Sequence, residues 1–448
     1  MTSTTRRALP AVGLLAGLAL AACGQDGATP SDGHPPAPAT SDGPVEVATL
    51  DPRVVLTYDG GVMTLDTGSG EILDDVPMNG FLRLNPAGDG RHVLVSTSEG
   101  FHVYDSGLEA QGHGDHHHYF ASEPAFTDTV LPADTPGHVV THGGRTALFA
   151  DGTGEVRLLD PLALAAGLPE SQTWTAPNAH HGVAVPLAGG RMLVSVGTED
   201  GRTAAALLDD DGSELATGPC PGLHGEAVAA GGAVVVGCED GPLVLRDGAF
   251  HKVPVADAYA RSGNLAGSPV SPVVLGDYKV DPDAELERPE RIALIDTTTD
   301  SVRLVELGAS YTFRSLARGP YGEALVLTTD GTLRAIDDLT GEQLGQVAVV
   351  DPWEEPAAWQ EPRPAIVSVD GVAYVTEPAT RTLHAVSLAT GEVVRTYELP
   401  HVPNELAVAT GFAPAEPTHP AAVEGRGHGD GPDEDGAHGH DEDGHAHD

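Results

Sequence analysis

The sequence predicts an all-β chain folded as a β-propeller of eight four-stranded antiparallel blades, and three observations carry that reading. Between about Leu50 and Phe412, short aliphatic and β-branched runs alternate with Gly, Asp and Asn turns, without a long stretch of helical periodicity. A turn signature recurs between apolar strands: Asp66-Thr67-Gly68-Ser69-Gly70-Glu71, Gly152-Thr153-Gly154-Glu155, Asp211-Gly212-Ser213-Glu214, Thr340-Gly341-Glu342 and Thr390-Gly391-Glu392. Upstream of these turns a second unit repeats, an apolar strand running into a Gly-rich or Asp-Gly turn, and the period of about 40 to 50 residues is that of propeller blades.

The blades are counted from their innermost strands, which start near Arg83, His138, His181, His224, Asn264, Arg314, Ala365 and Asn404. The strands of Val54 to Leu65 complete the last blade, so both chain ends share it and no sheet edge is left open. Seven blades is the alternative count, and a pair of β-sandwiches the alternative architecture.

The ends of the chain read differently. Arg6 and Arg7 precede an apolar run from Ala8 to Ala22, and Leu20-Ala21-Ala22 before Cys23 has the pattern of a lipoprotein signal. Residues 1–22 are therefore expected to be removed and Cys23 lipidated, leaving the protein exported and anchored on the outer face of the cell membrane. The apolar run is shorter than the roughly 20 residues a spanning helix needs. Residues 23–49 have almost no large apolar side chain and read as a disordered spacer. In an oxidising compartment Cys220 and Cys238 are expected to pair as a disulfide.

A formal charge of −43 argues against nucleic acid as a partner, since phosphates would be repelled, and favours cations. The histidines say which. His113, His116, His117 and His118 crowd around Asp115, with Gly112 and Gly114 giving the backbone freedom to turn. Neutral imidazole and carboxylate are ligands that a borderline ion such as Zn2+ prefers. The strand Phe101-His102-Val103-Tyr104-Asp105 leads into this run, which reads as a loop able to fold over the channel mouth. In an extended segment His116 and His118 face one side and His117 the other, so His113, Asp115, His116 and His118 are the candidate ligands and His117 the spectator.

In a propeller, residues where the innermost strands begin converge on the central channel. That alignment places His181 and His224 there as the fixed half of a metal site, with the His-rich loop as its mobile half. His138, His180, Glu226 and His401 fall near the same place and are secondary candidates. A third set, His428, His438, His440, His445 and His447, lies among nine acidic residues in Glu424–Asp448. Residues 413–448 have no apolar anchor and read as a disordered tail that gathers zinc weakly and releases it quickly.

The run Phe101 to Asp105, the stretch His113 to Phe120, His181-Gly182-Val183-Ala184-Val185-Pro186-Leu187, Gly222-Leu223-His224-Gly225-Glu226 and Val402-Pro403-Asn404-Glu405 together resemble the AztD family of extracytoplasmic zinc metallochaperones, over most of residues 50–412. The resemblance implies a propeller that binds zinc and passes it directly to the solute-binding protein of an ABC-type zinc importer. This chain departs from the pattern in carrying its His-rich extension at the C terminus and in its lipobox.

The leading expectation is a monomeric, non-enzymatic zinc carrier. Its affinity should fall below about pH 6.5, because imidazole must be neutral to bind. The alternatives are a metal-dependent propeller hydrolase or lactonase with Glu226 as base, and a surface-binding propeller. Against the hydrolase, there is no nucleophile elbow, no HExxH and no convincing carboxylate pair. Nickel and copper also accept imidazole.

Overall fold

A computed structural model describes residues 43–413. The export signal, Cys23 and the five tail histidines lie outside the described residues. The turn chemistry comes first, because it repeats. In Asp66–Glu71 the Asp66 carboxylate accepts hydrogen bonds from the Ser69 amide (2.7 Å) and hydroxyl (2.8 Å), and the Gly70 amide closes on the Asp66 carbonyl at 2.8 Å. Gly70 takes φ +84° to do so, a conformation that costs glycine little. Asp337, Thr340 and Gly341 repeat the arrangement, with Thr340 N to Asp337 Oδ1 at 2.7 Å and Gly341 at φ +77°. Each of these two turns joins the third strand of its sheet to the outermost strand.

The described residues form eight four-stranded antiparallel sheets and one small three-stranded sheet. The innermost strands are Arg83–Pro86, Pro136–His142, Ala184–Pro186, Glu226–Val228, Leu265–Ala266, Leu316–Arg318, Ile366–Val369 and Leu406–Ala409. All eight positions marked in the sequence lie within or just before these strands. Innermost strands of consecutive sheets lie side by side, as Pro136–His142 does with Ala184–Pro186 and Leu406–Ala409 with Arg83–Pro86. The two chain ends share a sheet, because Leu406–Ala409 pairs with Arg53–Tyr58 in register Val54 to Val408. That pairing closes the ring and satisfies both edges.

Core sits between sheets. Val183, Val185, Leu193 and Leu207 of one sheet pack on Val234, Val236, Leu243 and Leu245 of the next. Second strands are buried throughout, as in Val234–Val236, whereas the outermost strand Gln343–Ala348 is exposed. A disulfide joins Cys220 and Cys238 inside the same cluster, with Cα atoms 5.0 Å apart. Among the described residues helix is limited to two short 3-10 segments, Pro161–Ala166 and Ala188–Gly190. Among the described residues no helix is long and apolar enough to cross a membrane.

Two expectations are corrected. The spacer does not run to residue 49, because Val45–Val47 is a strand paired with Tyr119–Ala121. The His-rich run is not a loop either: Leu108–His113 and His116–Ala121 form a hairpin inserted between the third and outermost strands of the second sheet. Its four imidazoles obscure the pairing in sequence, since the only apolar edge it offers is the one Val45–Val47 covers.

Candidate metal centre

Two three-histidine clusters can hold a metal, His138 with His181 and His224, and His113 with His116 and His118, and the ligating nitrogens within each cluster lie no more than 4.8 Å apart. They form two separate groups. The expected single site, with the hairpin closing over His181 and His224, is therefore corrected to two.

The channel cluster is built from three successive innermost strands. His138 is on Pro136–His142, His181 precedes Ala184–Pro186, and His224 precedes Glu226–Val228. Their ring centroids are 5.0, 5.3 and 5.4 Å apart. Two of the rings are held by Nδ1 hydrogen bonds, and the third sits beside a carboxylate. His181 Nδ1 donates to Asp151 Oδ2 at 2.5 Å, His224 Nδ1 donates to the Gly263 carbonyl at 2.6 Å, and His138 Nδ1 lies 3.2 Å from Glu226 Oε2. The supports are themselves fixed. Asp151 Oδ1 accepts from the Gly182 amide, and the Gly263 and Asn264 amides donate to Asp277.

A donating Nδ1 in a neutral ring leaves a lone pair on Nε2. His181 Nε2 and His224 Nε2 face each other at 3.3 Å, so two lone pairs oppose, an arrangement that a cation between them relieves. The spacing fits zinc in particular, since a tetrahedron with Zn–N bonds of 2.0–2.1 Å has an N–N edge of about 3.3 Å. Burial, reinforced by the neighbouring His138, pushes the His224 pKa down to about 3, which keeps that ring neutral. For His138 burial pulls the pKa down, but the Glu226 carboxylate outweighs it and raises the value above that of a free histidine. Three imidazoles with one open position make the donor set of a zinc site that can exchange a ligand.

The hairpin cluster repeats this logic in solvent. His113 pairs across from His116, and His118 lies two residues on, on the same face. His116 Nε2 and His118 Nε2 are again 3.3 Å apart. His118 Nδ1 is held by Glu46 Oε1 at 2.7 Å, and His116 Nδ1 lies 3.3 Å from Asp115 Oδ1. Asp115 thus orients a ring and is not in the ligand group. His117 points away and contacts Tyr119 and Phe412.

At the hairpin's base, Arg91 binds Asp105 through two hydrogen bonds of 2.9 and 2.7 Å and Glu109 at 2.5 Å. Burial raises the Asp105 carboxyl, but the Arg91 guanidinium and the Gly107 amide overcome it and hold the pKa below the usual range. Its folded-state pKa is depressed, so its contribution to stability is complete above about pH 4, the unfolded value, and is lost as pH falls through the folded value. Asp105→Asn is therefore expected to destabilise the protein at pH 7 and progressively less below pH 4. Thermal melts of both proteins across that range check this, and a difference that stays constant with pH would refute it.

The remaining candidates do other work. His180 is buried with both nitrogens engaged, by Asn178 O and Ser195 Oγ at 2.9 Å each. His401 stacks on Tyr58 at 3.9 Å and binds Asp75 at 2.9 Å, apart from both clusters. Glu226 positions His138. Asp151, Gly263 and Glu46, which orient three of the rings, have no signal of their own in the sequence. They come from 30, 39 and 72 residues away.

No family model matches the chain. The zinc chaperone AztD of Citrobacter koseri is 30% identical over 285 residues, which is 61% of this chain and 65% of that protein. The chain thus spans just under two thirds of the length of that curated relative. The crystal structure of Citrobacter koseri AztD superposes with a TM-score of 0.71 at 26% identity, covering 82% of this chain and 100% of that one. The apo form gives 0.70 at 24% identity, over 80% and 98%. The dihydro-heme d1 dehydrogenase NirN shares the fold alone, with 16% identity and a TM-score of 0.53. The chain is accordingly similar to AztD in both sequence and propeller architecture.

Proposed function

We propose that this protein is an extracytoplasmic zinc chaperone, not an enzyme, which captures Zn2+ and passes it to the solute-binding protein of an ABC-type importer. The observation that carries the reading is the repeated geometry: three imidazoles within ligand reach of one another, two of them with Nε2 atoms 3.3 Å apart, in each cluster. Similarity to the zinc chaperone AztD supports the choice of metal. Glu226 Oε2 lies 3.2 Å from His138 Nδ1 and its charge raises that ring's pKa, which favours a role beside the ligand over that of a free base.

The two clusters differ in a way that suits transfer. Two of the three hairpin ligands are exposed and two of the three channel ligands half-buried, so the hairpin exchanges more readily with a partner while the channel retains its ion. Lipidation at Cys23 would hold the protein near the membrane-bound importer, and the His/Asp/Glu-rich tail would raise the local zinc concentration. The Cys220–Cys238 pair suits an oxidising compartment.

The test is zinc stoichiometry after dialysis of a chain truncated before Glu424. Two ions are expected, and His116→Ala with His118→Ala should remove one while leaving the other's affinity unchanged. Failure of the truncated protein to retain any ion sinks the proposal. Loss of both ions in the double variant would mean that the clusters form a single site.

A further inference from the structure

Three of the eight innermost strands bring histidines to the channel. The other five bring arginines and an apolar wall. Arg83, Asn264, Phe313, Arg314 and Glu405 line a cavity of about 190 Å³, together with Leu316, Ile366, Val367 and Leu406.

The charges around it do not balance. Arg314 has a side chain only 7% exposed, donates to Asn404 and to Glu405 Oε1 at 2.9 Å, and its buried Nε has no partner. Glu405 is fully committed, since Oε1 also meets Arg83 Nε at 3.0 Å and Oε2 accepts from the Leu84 amide at 3.0 Å. Arg83, 49% exposed, makes only that ion pair and a cation–π contact with Trp359, so its terminal nitrogens are unpaired among the described residues. Arg363 is buried behind Phe313, 5.0 Å from the ring, and is matched by Glu355. At the cavity wall Arg83 and Arg314 share the one carboxylate of Glu405, which leaves one positive charge. Burial, with repulsion from Arg83 and Arg363, takes the Arg314 pKa down to about 10. Such a cationic cluster stands out in a chain of formal charge −43.

We infer that this cavity binds a small carboxylate anion, with the carboxylate on the free terminal nitrogens of Arg83 beside the Arg314 charge and the hydrocarbon part against Phe313, Leu316 and Ile366. A guanidinium fork matches a carboxylate in two parallel hydrogen bonds. The aliphatic wall selects an anion with a carbon skeleton over a fully hydrated phosphate. None of its lining residues belongs to either histidine cluster, although the Arg83 charge is felt at His138 across the channel, and binding is expected in zinc-free protein.

Calorimetric titration of the full-length protein at low ionic strength, with succinate and with inorganic phosphate as probes, tests it. Succinate should bind saturably at one site, about tenfold more weakly in Arg83→Gln and not at all in Arg83→Glu. Arg83 is half exposed, so Arg83→Gln leaves the fold intact; Arg83→Glu sets a second carboxylate beside the buried Glu405, so a thermal melt checks that this variant is folded, and Arg191→Gln controls for net charge by leaving binding intact. Absence of saturable binding, phosphate binding as tightly as succinate, or equal losses in Arg83→Gln and Arg191→Gln would each overturn the inference.

Discussion

Replacing His181 with alanine is expected to weaken zinc binding at the channel cluster by more than about a hundredfold, because removing a ligand should exceed the 10–100-fold typical of outer partners. His181 is the ring whose Nε2 opposes that of His224 at 3.3 Å. Without it, two imidazoles remain to hold an ion that prefers four ligands. A graded companion separates ligand from scaffold: Asp151→Ala leaves all three rings in place but frees the His181 ring, whose Nδ1 it holds at 2.5 Å. That loss should fall within about 10–100-fold. Competition against a chromophoric zinc chelator, with the hairpin disabled by His116→Ala and His118→Ala, measures both. An affinity unchanged within about threefold in His181→Ala, against the hundredfold expected for a ligand, would remove the channel cluster from consideration.

The contrast between these two variants marks the boundary of what sequence could supply. His181 and His224 were readable because each stands at the start of an innermost strand, and a propeller must bring such positions together. The same alignment sets His138 at the equivalent place as a secondary candidate; it sits inside its strand, two residues after Pro136, and its ring lies 5.0 and 5.4 Å from those of His181 and His224. Asp151 and Gly263 were out of reach. An aspartate in an Asp-Gly turn reads as turn chemistry, and a glycine carbonyl carries no side-chain signal. Glu46 was assigned to a spacer because Pro44-Val45-Glu46-Val47 is short and isolated in sequence. It becomes a strand only when the hairpin offers an edge to pair with. The hairpin was misread for the same reason: two half-polar segments stabilise each other, and neither declares itself alone. The arginine cavity was visible as position markers at Arg83, Asn264 and Arg314, but its charge imbalance appears only once Glu405 is seen to be shared.

The disulfide sets the second large effect. Cys220 and Cys238 are both fully buried, and the bridge closes a loop with a sequence separation of 18. Cross-linking a loop of that length restricts the unfolded chain by about 3 kcal/mol. The double variant Cys220→Ala, Cys238→Ala is accordingly expected to lose about that much stability in equilibrium urea unfolding. The same loop carries His224, four residues beyond Cys220. Its amide donates to the Gly237 carbonyl at 3.0 Å, immediately before Cys238, and the Gly222 amide donates to Arg202 O at 2.9 Å. The bridge therefore clamps the segment that aims His224 at its partners, although neither sulfur approaches the cluster's ligand atoms. In the folded double variant, zinc affinity at the channel should fall while the hairpin cluster, on a different sheet, keeps its own. A stability loss below about 1 kcal/mol, far short of the loop-closure value, would show that the surrounding core already restrains the segment. Equal weakening of both clusters would mean that the damage is global rather than local to His224.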